Sequence, residues 1–142
     1  MEVPSTWTGQ QIGAKTLPAS GFATYRAVLK NLPHDGIFAI KKTNIRFSST
    51  VYVNGQKLLE DGKPSGQAGT YKAGNFPQVA LFSAERGDVE IIVQAANYDY
   101  VNAGIPVSIF SASRPPWSSI RSKLWRLNSA LWPRWESSLS FI

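Results

Sequence analysis

The residues whose types and spacing could do chemistry are concentrated between positions 97 and 102, where Asn97, Tyr98, Asp99, Tyr100 and Asn102 fall within one short stretch. Aromatic rings offer a flat apolar face, and planar amides and carboxylates exchange hydrogen bonds with hydroxyls. A polyhydroxylated ring compound, apolar on one side and polar at its rim, needs that pairing. Tyr71, in a separate glycine-rich stretch, is placed to approach the same ligand from the other side. Arg26, outward-facing on its own strand, is a second-rank ligand candidate. A competing account is open at this point: Asn97 and Asn102 hydrogen-bond their own turns, and Tyr98 is a plug beneath a long loop.

Catalysis finds less support. Hydrolysis of a glycosidic bond asks for two placed carboxylates, about 5 Å apart in retaining enzymes and farther apart in inverting ones. The candidates are Glu60, Asp61, Glu85, Asp88, Glu90 and Asp99. Most lie at turns and Glu90 is outward on a strand, so they read as solvated charges. His34 is the one histidine and there is no cysteine, which excludes a His-rich or thiolate metal site and a thiol nucleophile. No partners for a Ser-His-Asp arrangement are in view. Asp61-Gly62-Lys63-Pro64-Ser65-Gly66 lacks the spacing and the following helix of a phosphate-binding loop. The expectation is a non-enzymatic protein without cofactor or metal.

The elements that must position these residues are strands. In 22–30, Ala23, Tyr25, Ala27 and Leu29 alternate with Thr24, Arg26 and Lys30, the period of a half-buried strand. A turn at Pro33-His34-Asp35-Gly36 leads to a second strand over 37–42, and the two are expected to pair as a hairpin. Val51 and Val53 share a face opposite Tyr52, and Asn54-Gly55 supplies the two positive-φ positions of a type I′ turn. Residues 61–77, with four glycines and two prolines, form a long loop of the kind that often carries function. Strands are expected over 78–82, 89–95 and 105–110, and Trp7 and Leu17 anchor a turn-rich N-terminal arm. Short strands at this rhythm, with no convincing helix before residue 111, predict an all-β sandwich or jelly roll.

Charge divides the chain at the same place. Residues 1–112 carry ten basic and eight acidic side chains, whereas 113–142 carry five and one. The near-neutral body argues against nucleic acid as a partner. The tail, 113–142, holds four of the five Trp, and Trp117, Ile120, Leu124, Leu127 and Leu131 recur at helical intervals. It reads as a membrane-surface amphipathic helix, as a stripe packed on the body, or as sequence foreign to the domain. No signal peptide is evident and no apolar run is long enough to span a membrane. Nothing in the sequence fixes the oligomeric state.

Four stretches carry a family likeness: Val3-Pro4-Ser5-Thr6-Trp7; Gly21-Phe22-Ala23-Thr24-Tyr25-Arg26; Val51-Tyr52-Val53-Asn54-Gly55; and 88–97 followed by Ala103-Gly104-Ile105. Together they resemble the extracellular jelly-roll sensor domain of bacterial seven-transmembrane receptors with diverse intracellular signalling modules. That domain is similar to the galactose-binding-like jelly roll of family 2 glycoside hydrolases. The likeness covers about residues 3–111 and departs after Phe110, where the family runs on into apolar helices. It implies a non-catalytic module on the extracellular or periplasmic face of the cell membrane. Such a module binds a carbohydrate-like or small polar ligand and meets the membrane through its parent receptor, or weakly through the tail. The alternatives are an accessory domain of a glycoside hydrolase and a protein-interaction module.

Overall fold

The alternation of apolar and polar residues becomes, in a computed structural model, two antiparallel sheets whose apolar faces meet. The structure describes residues 5–32, 36–84, 88–107, 109–111 and 135–136. In chain order the strands are β1 (Ser5–Thr6), β2 (Gln11–Ile12), β3 (Lys15–Thr16), β4 (Gly21–Leu29), β5 (Ile37–Lys42) and β6 (Ser48–Val53). They continue as β7 (Gln56–Asp61), β8 (Gln78–Ser83), β9 (Val89–Asn97), β10 (Gly104–Ile105), β11 (Phe110–Ser111) and β12 (Trp135–Glu136). One sheet has the order β12-β4-β9-β6-β7, the other β11-β5-β8, with β1-β10 and β2-β3 as two small ribbons. The chain is an all-β protein built as a sandwich of antiparallel sheets.

The strand phases are those the sequence predicts. Ala23, Tyr25, Ala27 and Leu29 from β4 and Val89, Ile91, Val93 and Ala95 from β9 are buried, together with Val51 and Val53 from β6. Phe38 and Ile40 of β5 close the core from the opposite sheet. Trp7 is fully buried, its ring 6.4 Å from that of Tyr25 and its indole N–H donating to the Pro18 carbonyl at 3.1 Å. With buried Leu17, it seats the N-terminal arm on the core. The outer face of the three-stranded sheet is apolar as well, with Ile37, Val79 and Leu81 all more than half exposed.

Two expectations are corrected. The strands over 22–30 and 37–42 do not pair. β4 lies between β9 and β12, while β5 lies between β8 and β11 in the other sheet. The connection between them crosses the sandwich, which brings Phe38 to face β4 through the core instead of beside it. The strand expected over 105–110 is broken into β10, paired with β1, and β11, paired with β5. Pro106 stands at the break, where it cannot donate to a ladder. The helical stripe over 117–131 lies outside the described residues, as does His34; from the tail, β12 pairs with β4. No helix among the described residues is long and apolar enough to cross a membrane.

The β6–β7 hairpin turns at Asn54 and Gly55 with φ of 49° and 79°, the pair of positive values a type I′ turn requires. The Asn54 side chain also accepts from the Glu90 N–H at 2.9 Å, so the turn is pinned to the start of β9. A β-branched residue in this conformation is strained by about 1–3 kcal/mol. Gly55→Val is therefore expected to lower the unfolding free energy read from urea titration by that amount, with a matching fall in the midpoint; an unchanged midpoint would mean that the turn tolerates a side chain at positive φ.

Candidate functional site

The ends of β5, β7 and β9 and the starts of β4, β6 and β8 share one end of the sandwich. There, Lys42 and Asp61, both buried, form an ion pair between the last residue of β5 and the last residue of β7. The Asp61 carboxylate also accepts the Phe76 N–H at 2.7 Å. One charged group thus ties the beginning of the 62–77 loop to its end. Within the loop Lys63 and Lys72 exchange backbone hydrogen bonds of 2.8 and 3.0 Å, and the Gly74 N–H donates to the Phe47 carbonyl at 2.7 Å. The approach is so close that a Cβ at Gly74 would collide with the Asp61 carboxylate and the Gly62 backbone. Glycine is the residue that allows it.

The second loop is pinned by Asn97, the last residue of β9. Its fully buried amide donates to the carbonyls of Ala19 at 3.0 Å and Tyr100 at 2.7 Å, and accepts the Tyr100 N–H at 3.1 Å. The far end is held by Ala103, whose N–H donates to Thr8 Oγ1 at 2.9 Å and whose carbonyl accepts from Trp7 at 2.8 Å. Residues 98–102 are stretched between these anchors and display their side chains.

Three segments supply rings to this end. Tyr98 meets Tyr71 edge-on at 5.1 Å. Tyr100 meets Phe47 at 4.8 Å and lies under the Arg46 guanidinium, 5.0 Å from its ring centre. Aromatic pairs of this geometry contribute about 0.5–1.5 kcal/mol each beyond their buried area, enough to hold neighbouring loops in one arrangement. Arg46 and Phe47 are fixed through their backbones by Gly104 and Ala96, at 3.1 and 3.0 Å. On the same loop Asp99 and Asn102 are exposed, and Asp99 neighbours Tyr71. Burial pushes the Tyr71 hydroxyl up to about 12, and the neighbouring Asp99 charge adds to the rise.

Of the residues picked from the sequence, the structure brings together Tyr71, Tyr98, Asp99, Tyr100 and Asn102. Asn97 lies beneath them with its hydrogen bonds directed into the protein. Arg26 lies elsewhere: it is on the outer face of the five-stranded sheet, well along β4 from the Gly21–Asn97 pair, and its Nε donates to Glu90 at 2.6 Å. The sequence reading missed Lys42, Arg46 and Phe47. Lys42 had a signal, being in phase with buried Phe38 and Ile40 on β5. Arg46 and Phe47 had none, since their partner Tyr100 is remote in sequence. The acids are also more structural than expected. Asp61 is buried rather than solvated, Glu60 pairs with Lys57 at 2.6 Å, and Asp88 accepts the Asn31 N–H at 3.1 Å. Glu85 lies outside the described residues.

Removing one member of a buried ion pair strands the other charge, at a cost of about 3–5 kcal/mol. Lys42→Met is expected to lose that much in urea unfolding, and Lys42→Met/Asp61→Asn less, because an amide oxygen still accepts the Phe76 N–H without a charge. Asn97→Ala orphans two carbonyls and one N–H, and is expected to cost about 3 kcal/mol and to raise amide exchange at Tyr100. Native protection at Tyr100 in that variant would show the loop to be held by other contacts. No protein-family model matches the chain, and no curated protein sequence matches it either.

Proposed function

We propose that this sandwich is a non-catalytic ligand-binding module, jelly-roll in its strand path, that takes a carbohydrate or a similar small polar molecule at its long-loop end. The observation that carries the reading is the joining of rings from three separate loop segments, Phe47, Tyr71 and the Tyr98/Tyr100 pair, around exposed Asp99 and Asn102. The rings suit the apolar side of a pyranose, and the carboxylate and amide suit its hydroxyls. The engagement of Asp61, Glu60, Glu90 and Asp88 by structural partners supports binding over hydrolysis, because none of these described acids is then free to work with Asp99.

The landmarks behind the family resemblance have structural work at their positions: Trp7 in the core, Asn54-Gly55 in the turn, and Asn97 at the end of β9. These favour a sensor module of a bacterial membrane signalling receptor, with the ligand site on the extracellular or periplasmic side.

Thermal unfolding against a panel of neutral and acidic oligosaccharides tests the reading. A ligand at a hundred times its Kd stabilises by about 2.7 kcal/mol, a shift of several degrees for a chain of this size. At least one sugar is expected to give it, and Tyr98→Ala and Tyr100→Ala are each expected to weaken binding about tenfold or more. Equal stabilisation of both variants, or none of the wild type by any sugar, would count against the proposal.

A further inference from the structure

Arg46 differs from the molecule's paired basic groups. Arg26, Lys42 and Lys57 each have a carboxylate partner, whereas no carboxylate among the described residues pairs with Arg46. Its Nε is buried without a hydrogen-bond partner. The guanidinium is nevertheless held in place, its carbon 5.0 Å over the Tyr100 ring and its backbone N–H on Gly104. A guanidinium stacked on a ring uses its face and leaves its N–H donors directed outward in its own plane. Beside the Tyr100 ring there is thus a guanidinium fork with no hydrogen-bond acceptor among the described residues.

The glycine-rich loop at the same end of the sandwich adds charge of the same sign. Lys63 and Lys72, both exposed, are held opposite each other by reciprocal backbone bonds, and no carboxylate among the described residues pairs with either. Like charges in that relation repel, and an anion nearby relieves the repulsion. Among the described residues of these loops, Asp99 is the acid without an ion-pair partner to set against these three cations.

Building on the carbohydrate reading above, we propose that the preferred ligand is an acidic sugar, a uronic acid, whose carboxylate is received in bidentate fashion by Arg46 while its ring lies against the aromatic cluster. Two coplanar oxygens match the guanidinium fork, and the paired lysines draw the anion toward it.

Calorimetric titration of the full chain with oligogalacturonate and with the matched neutral galactose oligomer tests this. The acidic oligomer is expected to bind about tenfold tighter or more, a ratio that falls as salt is raised. Arg46→Gln brings the ratio close to one. Arg46→Lys, which keeps the charge but not the planar fork, restores only part of it; a melting curve close to that of the wild type checks that each variant is folded. Equal binding of the two oligomers by the wild type overturns the assignment and leaves the carbohydrate reading standing. A preference for the acidic oligomer that survives Arg46→Gln also overturns it. Binding of neither oligomer, nor of any other sugar, removes the carbohydrate reading itself.

Discussion

The ion pair between Lys42 and Asp61 is the constraint from which the long-loop end of the molecule follows. Withdrawing two charges from water costs several kcal/mol per ion, and their attraction in the interior returns that only when the geometry is good. The pair's main consequence is therefore geometric. Lys42 ends β5 in one sheet and Asp61 ends β7 in the other, so the bond sets how the two sheets are aligned at that end. Because the same carboxylate accepts the Phe76 N–H, it also closes the long loop just before β8 begins. A loop held at its two ends by one buried group can be long without being loose, since closing it costs only slowly more with length.

From there the constraint passes outward through short contacts. Closing the loop brings Gly74 against Phe47, and Phe47 against Tyr100. Tyr100 is held a second time, from below, by the Asn97 amide. Tyr71 and Tyr98 join the same two loops at another point. The fold itself thus positions the rings, and binding of the proposed ligand would not bear the cost of ordering them.

Period-2 alternation made the faces of β4, β6 and β9 readable, because burial on a strand is a local property of its phase. Pairing is not local. The 31–36 connection looks the same whether it closes a hairpin or crosses between sheets, and only the partners of β4 and β5 show that it crosses. The same divide runs through the site. Tyr98, Asp99 and Tyr100 were visible as a run, and Tyr71 by its place on a glycine-rich loop. Arg46 and Phe47 fall between strands with no pattern of their own. Arg26 was rightly placed on an outward face, but its partner Glu90 lies on a strand far along the chain. Lys42 was the readable miss: its phase on β5 directed it inward, and a lysine directed into a core demands a buried acid.

Arg46 and Asp99 both border the Tyr100 ring region, yet they form no ion pair with each other. Had they paired, each would have neutralised the other and the rim would be electrically quiet. Unpaired with each other among the described residues, they leave an exposed carboxylate and a guanidinium without a carboxylate partner at one end of the molecule. An apolar ring face alone accepts a flat ligand in many rotations about its normal; a donor and an acceptor fixed at separate points on its border select among them. On the proposed reading, the tyrosines account for attraction and the unpaired charges for orientation. The buried pair holds the ends of the glycine-rich loop that brings Tyr71 to Tyr98.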